Sequence, residues 1–286
     1  MGRPNVGKST LLNRFLGQKI AIVSPKPETT RDRLLGILTL PEAQILFLDT
    51  PGIYRGAKTL LAKHQIQAAR EALNEADVLL LMTEGKAGVT DEDCQIIRML
   101  PKKDRIPVFL AINKVDRVEK SLLLPQIDQA SQRFPFREII PISASKGDHV
   151  EPLLKILCDA LPEGPALYPP DQVTDRPARH LAQELIREKA LLFTHEEIPY
   201  AVAVRIEEWR PGTSPTTTYV RATLFVERES QKGILIGKDG ALLKRIGQAA
   251  RKEIEDLAEG KVYLDLWVKV APNWRTNPRL LKEVGY

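Results

Sequence analysis

The chain has 286 residues, of which 43% are hydrophobic and 28% charged, and its formal net charge is +5. This length allows two domains with separate hydrophobic cores. Its two cysteines, Cys94 and Cys158, exclude a disulfide framework and favour buried thiols in a reducing compartment. Because no apolar run is long enough to cross a bilayer and no signal peptide is visible, we expect a cytoplasmic protein. Peripheral contact with the inner face of the cell membrane stays open.

The first ten residues carry the strongest motif. Residues 2–9 match the phosphate-binding loop G-x-x-x-x-G-K-[ST] at every fixed position, and apolar residues at helical spacing follow. Such a loop binds nucleotide phosphates through backbone N–H groups at a helix N-terminus, a lysine and a hydroxyl that coordinates Mg²⁺. The residues expected to surround the phosphates are Gly2, Arg3, Pro4, Asn5, Val6, Gly7, Lys8, Ser9 and Thr10.

A phosphate loop normally follows a buried β-strand, yet only Met1 precedes Gly2. We expect a nucleotide-binding domain whose first strand is missing, through a misplaced start or a truncation. The alternative is a sheet that lacks a central strand. Either case puts the stability and the nucleotide affinity of this chain in doubt.

Predicted strands at 34–40, 43–48, 78–82, 108–112 and 138–142 alternate with predicted helices, which indicates an open, doubly wound parallel sheet of the α/β class. Asp49 ends the second of these strands, where an NTPase needs a carboxylate that acts on Mg²⁺. Gly52 has no Cβ and therefore lets its backbone approach a γ-phosphate closely.

The C-terminal part has a different pattern. Residues 162–177 contain five prolines and read as a linker. The order after it is α-β-β-α-α-β, an α+β unit, with a G-x-x-G turn at Gly237–Gly240 between two helices. Most of the basic excess of the chain lies in this part, which is compatible with polyanion binding and also with an ordinary solvated surface.

The ordered short motifs resemble those of translation-factor-related GTPases, and the last unit resembles a KH domain of the second topological type. Together they are similar to bacterial GTPases of the Era family over nearly the whole chain. The resemblance implies a P-loop GTPase domain at 1–163, a linker at 164–177 and a KH RNA-binding domain at 178–286. Besides the phosphate loop, the matching residues are Thr30, Asp49, Thr50, Pro51, Gly52, Asn113, Lys114, Val115, Asp116, Ser143 and Ala144.

The resemblance implies GTP and GDP as ligands and Mg²⁺ as cofactor. Ser9 and Thr30 would coordinate Mg²⁺, with Asp49 acting through water; Thr29 is the rival of Thr30. Asp116 would accept two hydrogen bonds from guanine, which adenine cannot donate. A ligand that leaves a buried polar group of its site unpaired is bound more weakly by a factor of about 10⁴–10⁵. Asn113 would brace the loops, the Lys114 stem would cover the ring, and the Ala144 N–H would meet the guanine O6.

The residues expected to act in catalysis are Lys8, Thr30, Gly52 and Asn5. Ile53 stands where many GTPases have a glutamine that orients the attacking water, so we expect slow hydrolysis. By resemblance, Asn5 would help to bind K⁺ as a charge-stabilising element. The alternative is that Asn5 only shapes the loop.

The G-x-x-G turn would clamp the backbone of about four nucleotides. The expected RNA contacts, with Arg251 and Lys252 as further phosphate candidates, are Ile234, Ile236, Gly237, Lys238, Asp239, Gly240, Lys244 and Arg245. Trp274 and Arg275 are as compatible with core packing as with RNA stacking. The resemblance alone implies the 3′ end of 16S rRNA, and the 30S ribosomal subunit during its assembly, as partners of a monomer.

Two other functions stay open. One is a non-catalytic RNA-binding KH protein whose nucleotide site is impaired by the missing strand. The other is a GTPase that acts on another RNA or in a membrane-linked regulatory role.

Overall fold

The computed structural model describes residues 1–27, 29–52, 59–100, 106–212, 214 and 216–283. The helices are α1 (Lys8–Leu16), α2 (Leu60–Glu75), α3 (Asp91–Ile97), α4 (Lys120–Arg133), α5 (Val150–Cys158), α6 (Ala178–Phe193), α7 (Ile198–Ala201), α8 (Glu229–Ile236), α9 (Ala241–Leu257) and α10 (Pro278–Glu283). The strands are β1 (Leu34–Thr39), β2 (Gln44–Asp49), β3 (Leu79–Glu84), β4 (Val108–Asn113), β5 (Ile139–Pro141), β6 (Ala203–Pro211), β7 (Thr217–Val226) and β8 (Lys261–Val270).

The chain forms two compact units. The first takes in Met1–Ala21, Thr30–Ala57 and Gln65–Asp175, and the second takes in Ile22–Thr29, Lys58–His64 and Arg176–Tyr286. In the parts of the chain given above, no helix is both long enough and apolar enough to cross a membrane.

Parallel strands form the core of the first unit. Strands β3, β4 and β5 pair in that order, all parallel. Alternate residues of β4 are buried on opposite faces: Phe109 packs in a cluster with residues of α1 and α5, and Leu110 packs in a cluster with residues of α3 and α4. Helices therefore cover both faces, as a doubly wound sheet requires.

Strands β1 and β2 form a separate antiparallel pair in this unit. A cavity of about 1100 Å³ is lined by β2 residues such as Leu46 and by β3 residues such as Leu80. The chain start lies along β3: the Met1 α-amino group donates to the Leu80 carbonyl at 2.7 Å, and the Met82 N–H donates to the Met1 carbonyl at 2.9 Å. Met1 and Gly2 thus make the bonds of a strand parallel to β3, with the α-amino group where a peptide N–H would stand.

The segment read as a linker lies partly on the first unit. The Ile37 N–H of β1 donates to the Val173 carbonyl at 2.8 Å, and the Gln44 side chain of β2 accepts from the Leu167 and Tyr168 N–H groups at 2.8 and 2.9 Å. The backbone of this proline-rich stretch thus finds partners on the β1–β2 pair.

The second unit has the predicted order α-β-β-α-α-β, with the short α7 before β6 and α10 after β8. Strand β7 is central, antiparallel to β6 and parallel to β8. Helices α6, α8 and α9 cover one face of this sheet and bury residues such as Ile186, Leu235 and Ile246. Residues 234–236 are the last residues of α8, and Leu235 among them is fully buried against the core.

Helix α6 buries three consecutive charged residues. Arg187, Glu188 and Lys189 are 0, 2 and 7% exposed. Arg187 donates to the Thr29 carbonyl, while Glu188 accepts from the Val23 N–H at 2.8 Å and from Lys189 at 2.5 Å. These charges hold a loop segment of the same unit, and a buried charge is tolerated only when it is paired and hydrogen-bonded in this way.

Replacing Glu188 with alanine removes the partner of a buried ammonium and of a backbone N–H. We expect Glu188→Ala to lower the unfolding free energy of the second unit by about 3 kcal/mol. This value is the lower end of the cost of breaking a buried ion pair, because Lys189 keeps its second partner, Glu253. All three tryptophans lie after Arg176, so urea unfolding followed by tryptophan fluorescence reports on this unit. The exposed Lys252→Ala is the control, expected within about 0.5 kcal/mol of wild type. A loss below 1 kcal/mol for Glu188→Ala would contradict the account.

The α-amino group of Met1 makes the first unit sensitive to acid. Its pKa is lowered from 8.0 to about 5, mainly by burial and also by the nearby Lys8 charge, whereas the Asp49 charge opposes the shift. The unfolded chain binds this proton more tightly than the folded chain. The contribution of this group to the unfolding free energy is therefore fully present above pH 8 and is lost as the pH falls towards 5, by up to about 4 kcal/mol. Calorimetry at pH 5, 6.5 and 8 measures this loss. A chain with residues added before Met1 carries an amide there and serves as control; an equal loss in that chain would refute the assignment.

Candidate nucleotide and RNA sites

The phosphate loop has a tightly constrained backbone. Gly2, Asn5 and Gly7 have φ values of 146, 62 and 105°. A Cβ on Gly2 would lie 2.4 Å from the Met82 carbonyl oxygen, and one on Gly7 would lie 2.2 Å from the Asn113 Nδ2. Only glycine fits these two places, which explains the fixed glycines of the motif.

Lys8 is folded back onto the loop. Its Nζ donates to the Gly2 and Arg3 carbonyls at 3.0 and 2.9 Å. Burial lowers the pKa of Lys8 to about 8, and the Asp49 carboxylate opposes this shift. A desolvated ammonium at the start of α1 is therefore placed to gain from a phosphate anion.

Three oxygen-bearing side chains meet beside this lysine. The Ser9 Oγ donates to the Asp49 Oδ2 at 2.6 Å and lies 3.1 Å from the Thr30 Oγ1. The Thr29 hydroxyl instead donates to the Lys26 carbonyl at 2.7 Å. Burial raises the pKa of Asp49, while the Lys8 charge and the Ser9 hydrogen bond lower it. Two hydroxyls and a carboxylate are hard oxygen donors, which fit Mg²⁺.

The turn after β2 packs on the phosphate loop. A Cβ on Gly52 would lie 2.7 Å from the Pro4 nitrogen, so the backbone of Gly52 approaches the loop as only glycine permits. Thr50 and Pro51 before it are buried. Ile53, expected to replace a water-orienting glutamine, lies outside the described residues.

Asn113 connects the phosphate loop with the loop after β5. Its Nδ2 donates to the Val6 carbonyl at 2.6 Å, and its Oδ1 accepts from the Ala144 N–H at 2.9 Å. The Ser143 Oγ donates to the Asp116 Oδ1 at 2.7 Å. The structure thus brings together the residues expected around guanine, and Asn113 makes the bracing contacts expected of it.

Two expected base contacts are engaged by protein atoms. The Ala144 N–H, expected to meet the guanine O6, is bonded to Asn113 and would have to exchange this partner. Lys114 has a φ of 63°, its Nζ lies 3.2 Å from the Glu84 Oε2, and Val115 starts a short 3₁₀ turn. The roles of Ala144 and Lys114 towards the base stay predictions.

Several supporting contacts escaped the sequence analysis. The Arg3 Nε donates to the fully buried Asp93 of α3 at 2.9 Å, which directs the guanidinium to that helix, and the role of Arg3 in the phosphate loop stays a prediction. The Arg14 guanidinium donates to the Ala144 and Ser145 carbonyls at 3.2 and 2.5 Å. No local motif marks either pair, because the partners are about 90 and 130 positions apart.

The candidate RNA loop is a tight turn between two helices. Helix α8 ends at Ile236, a 3₁₀ turn spans Lys238–Gly240, and α9 follows at once. Gly237, Asp239 and Gly240 have positive φ values, and a Cβ on Gly237 would lie 2.9 Å from the Leu242 backbone nitrogen. The loop therefore needs glycine at Gly237 for its shape, independently of any ligand.

The side chains around this loop differ in exposure. Ile234 is 53% exposed, whereas Ile236 packs partly against the core. Lys238, Lys244 and Arg245 are exposed. These positions leave basic groups and one apolar side chain available at the loop.

Trp274 and Arg275 serve the fold. Trp274 is fully buried and its Nε1 donates to the Ala201 carbonyl at 2.8 Å, while Arg275 pairs with the Glu227 carboxylate at 2.5 Å. Of the two readings left open for Trp274, the structure selects core packing.

Removing the Asn113 side chain tests its bracing role. Asn113→Ala leaves the buried Val6 carbonyl and Ala144 N–H without this partner, at about 1–3 kcal/mol each. We expect the first unit to lose about 2–4 kcal/mol of unfolding free energy, measured by urea unfolding with circular dichroism. Leu124→Ala, at a residue that is 74% exposed, is the matched control. Equal stability of the two variants would remove the bracing role.

Comparisons with known proteins cover both units. Residues 1–114 match the family described as 50S ribosome-binding GTPase, and residues 197–275 match the KH domain. GTPase Era of Geobacter metallireducens is 49% identical over 286 residues, which span 100% of this chain and 95% of that protein. GTPase Era of Geotalea uraniireducens is 48% identical over the same shares.

Two crystal structures match to the same degree, with 45% identity, a TM-score of 0.96 and coverage of 100% of this chain and 96% of theirs. One is Era in complex with MgGDPNP and nucleotides 1506–1542 of 16S ribosomal RNA, and the other is an Era variant from Aquifex aeolicus bound to GDP·AlF₄⁻. The predicted fold class, a P-loop GTPase domain followed by a KH domain, is confirmed. The identity over the full chain shows that this protein belongs to the Era family of GTPases.

Proposed function

We propose that this chain is a Mg²⁺-dependent GTPase that binds the 3′ end of 16S rRNA and acts in the assembly of the 30S ribosomal subunit. GTP hydrolysis is supported by one observation above all: the side-chain oxygens of Ser9, Thr30 and Asp49 lie close together beside the buried Lys8. Membership of the Era family supports the RNA part, because a relative of known structure holds a fragment of 16S rRNA.

The residues of this site have complementary tasks. Lys8 and the N–H groups at the start of α1 hold the β- and γ-phosphates. Ser9 and Thr30 would offer hydroxyl ligands to Mg²⁺, and Asp49 would act on the ion through water. Bound Mg²⁺ neutralises the charge that develops on the phosphate oxygens. Gly52 brings its backbone to the γ-phosphate without steric hindrance.

Guanine selection rests on Asp116. Its carboxylate, oriented by the Ser143 hydroxyl, accepts from two donors that guanine has and adenine lacks. With ATP this carboxylate loses its partners, which costs more than the loss of one favourable contact.

GTP turnover is slow in this proposal, because Ile53 has no group that orients the attacking water. Asn5 would then help to hold a K⁺ ion, which would supply a further positive charge at the phosphates. The positive φ of Asn5 supports the alternative that this residue only shapes the loop.

The RNA partner follows from the match over the full chain. The family matched by residues 1–114 carries 50S in its description, but that match covers the GTPase part alone. The relative in complex with a 16S rRNA fragment aligns with both units, and 16S rRNA belongs to the small subunit. The loop at Gly237–Gly240, with Ile234, Lys244 and Arg245, is the proposed contact.

A place of action in the cytoplasm accords with a ribosomal partner. Peripheral contact with the cell membrane and a monomeric state stay predictions. The proposed division is a GTPase domain at 1–163, a linker at 164–177 and a KH domain at 178–286.

The cavity between β2 and β3 favours a second candidate, an RNA-binding KH protein with an impaired nucleotide site. A void beside the phosphate loop weakens the packing that holds the loop in shape. The two candidates differ in whether this chain binds GTP.

Binding of labelled GTP and ATP tests the proposed function. We expect the chain to bind GTP at least 100-fold more tightly than ATP, and Asp116→Ala to abolish the preference, because the guanine-specific acceptor is gone. A chain extended upstream by one apolar strand is measured in parallel. Absence of GTP binding in both chains would overturn the GTPase and leave the RNA-binding candidate.

The choice of monovalent cation tests the role of Asn5. GTP turnover is expected to be about tenfold faster in K⁺ than in Na⁺ at equal ionic strength, because electrostatic groups at the phosphates act directly on the transition state. Asn5→Ala should bring the two rates together. Equal rates in the wild-type chain would exclude K⁺ as a catalytic element.

A further inference from the structure

The sheet of the second unit has one face that α6, α8 and α9 do not cover, and α10 packs only on its end at Ala203 and Phe225. Along β8, Val262 and Val268 point into the core under α6, α8 and α9, and the alternate residues lie on the opposite face. Tyr263 and Trp267 lie on this opposite face and are 62 and 55% exposed. Among the described residues, they are the aromatic ones of the exposed large hydrophobic side chains. Two rings thus project from one face of one strand, with Asp265 at the same-face position between them.

Contacts hold these rings in place. Tyr263 stacks on Tyr219 of β7, with ring centroids 5.8 Å apart and an interplanar angle of 11°. The Arg210 guanidinium lies 4.2 Å from the centroid of the Tyr219 ring. The Asp265 Oδ2 accepts from the Trp267 Nε1 and from the Tyr219 hydroxyl, both at 3.0 Å. The rings are therefore preorganised, which lowers the entropy cost of stacking a ligand on them.

The charge of this face is positive. Lys261 and Lys269 are exposed and lie two positions outside the rings along β8. Arg221 pairs with both Glu208 and Asp265, at 2.6 and 3.1 Å, and its single charge balances one of these two carboxylates. Arg210 pairs with Glu208 at 3.0 Å and balances the second carboxylate. Glu207, whose charge acts on Lys269, is paired with Arg205 at 2.7 Å, so Lys261 and Lys269 leave the face with a positive charge.

We propose that this aromatic face, defined by Lys261, Tyr263, Trp267 and Lys269, binds single-stranded RNA by stacking bases on the two rings. The two lysines contact the phosphates on either side. Exposed ring faces between basic groups are the arrangement that single-stranded nucleic acids require, whereas an apolar protein partner would need contiguous aliphatic surface.

The aromatic face is distinct from the loop at Gly237–Gly240. Helices α8 and α9 flank that loop and pack on the other side of the sheet. The proposal rests on RNA binding by this chain but not on that loop. One RNA chain that is long enough, or a second segment of it, engages both surfaces.

The test uses the full chain and an unstructured RNA of mixed sequence, about 20 nucleotides long, in a fluorescence anisotropy titration. Stacking of one base on an aromatic ring increases RNA affinity about tenfold. We therefore expect the double variant with Tyr263→Ala and Trp267→Ala to bind this RNA about 100-fold more weakly than wild type. The matched pair Tyr263→Phe with Trp267→Phe keeps both rings and is expected within about threefold of wild type. Lys238→Ala reports separately on the loop.

Photo-crosslinking with 4-thiouridine in the same RNA gives a second readout, which does not depend on variants. Crosslinks to the 261–269 peptide, together with the affinity loss of the alanine pair, support the aromatic face. The proposal fails if the alanine pair binds as wild type while Lys238→Ala binds weakly. It also fails if the phenylalanine pair loses as much affinity as the alanine pair, or if crosslinks map to 234–245 alone.

Discussion

The hydrogen bonds of the Ser9 hydroxyl connect the phosphate loop with the chain segments that carry Thr30 and Asp49. These groups come from three separate places in the sequence, and their oxygens converge at the start of α1. Asn113 adds a fourth segment, because its side-chain amide forms hydrogen bonds with both the Val6 carbonyl and the Ala144 N–H. The geometry expected for Mg²⁺ and guanine nucleotide therefore depends on a few buried side-chain hydrogen bonds between loops.

The ionisable groups of the site are held out of water. Burial lowers the pKa of Lys8 and raises that of Asp49, so each charge is costly and each lowers the cost of the other. A nucleotide with Mg²⁺ supplies the opposite charges that both groups lack. Binding of the nucleotide should therefore stabilise the first unit. The ligand charges offset the cost of burying the charges of Lys8 and Asp49, and this gain contributes to affinity.

Sequence reasoning located what local chemistry dictates. The glycines of the phosphate loop, the position of Asp49 at a strand end and the order α-β-β-α-α-β follow from turn conformation and hydrophobic periodicity. Contacts such as Arg3 with Asp93, Arg14 with the Ala144 carbonyl and Lys114 with Glu84 depend on tertiary packing. The place of residues 22–29 in the second unit, beside the buried charges of α6, has no local signal either.

We propose Ser9, Thr30 and Asp49 as the residues that hold Mg²⁺ in this GTPase. Electron paramagnetic resonance of Mn²⁺ with a non-hydrolysable GTP analogue tests it most directly, because Mn²⁺ accepts the same oxygen ligands. The account predicts that wild-type protein binds one Mn²⁺ with the nucleotide and that Ser9→Ala and Asp49→Asn each weaken this binding at least tenfold. Unchanged Mn²⁺ affinity in both variants would contradict it.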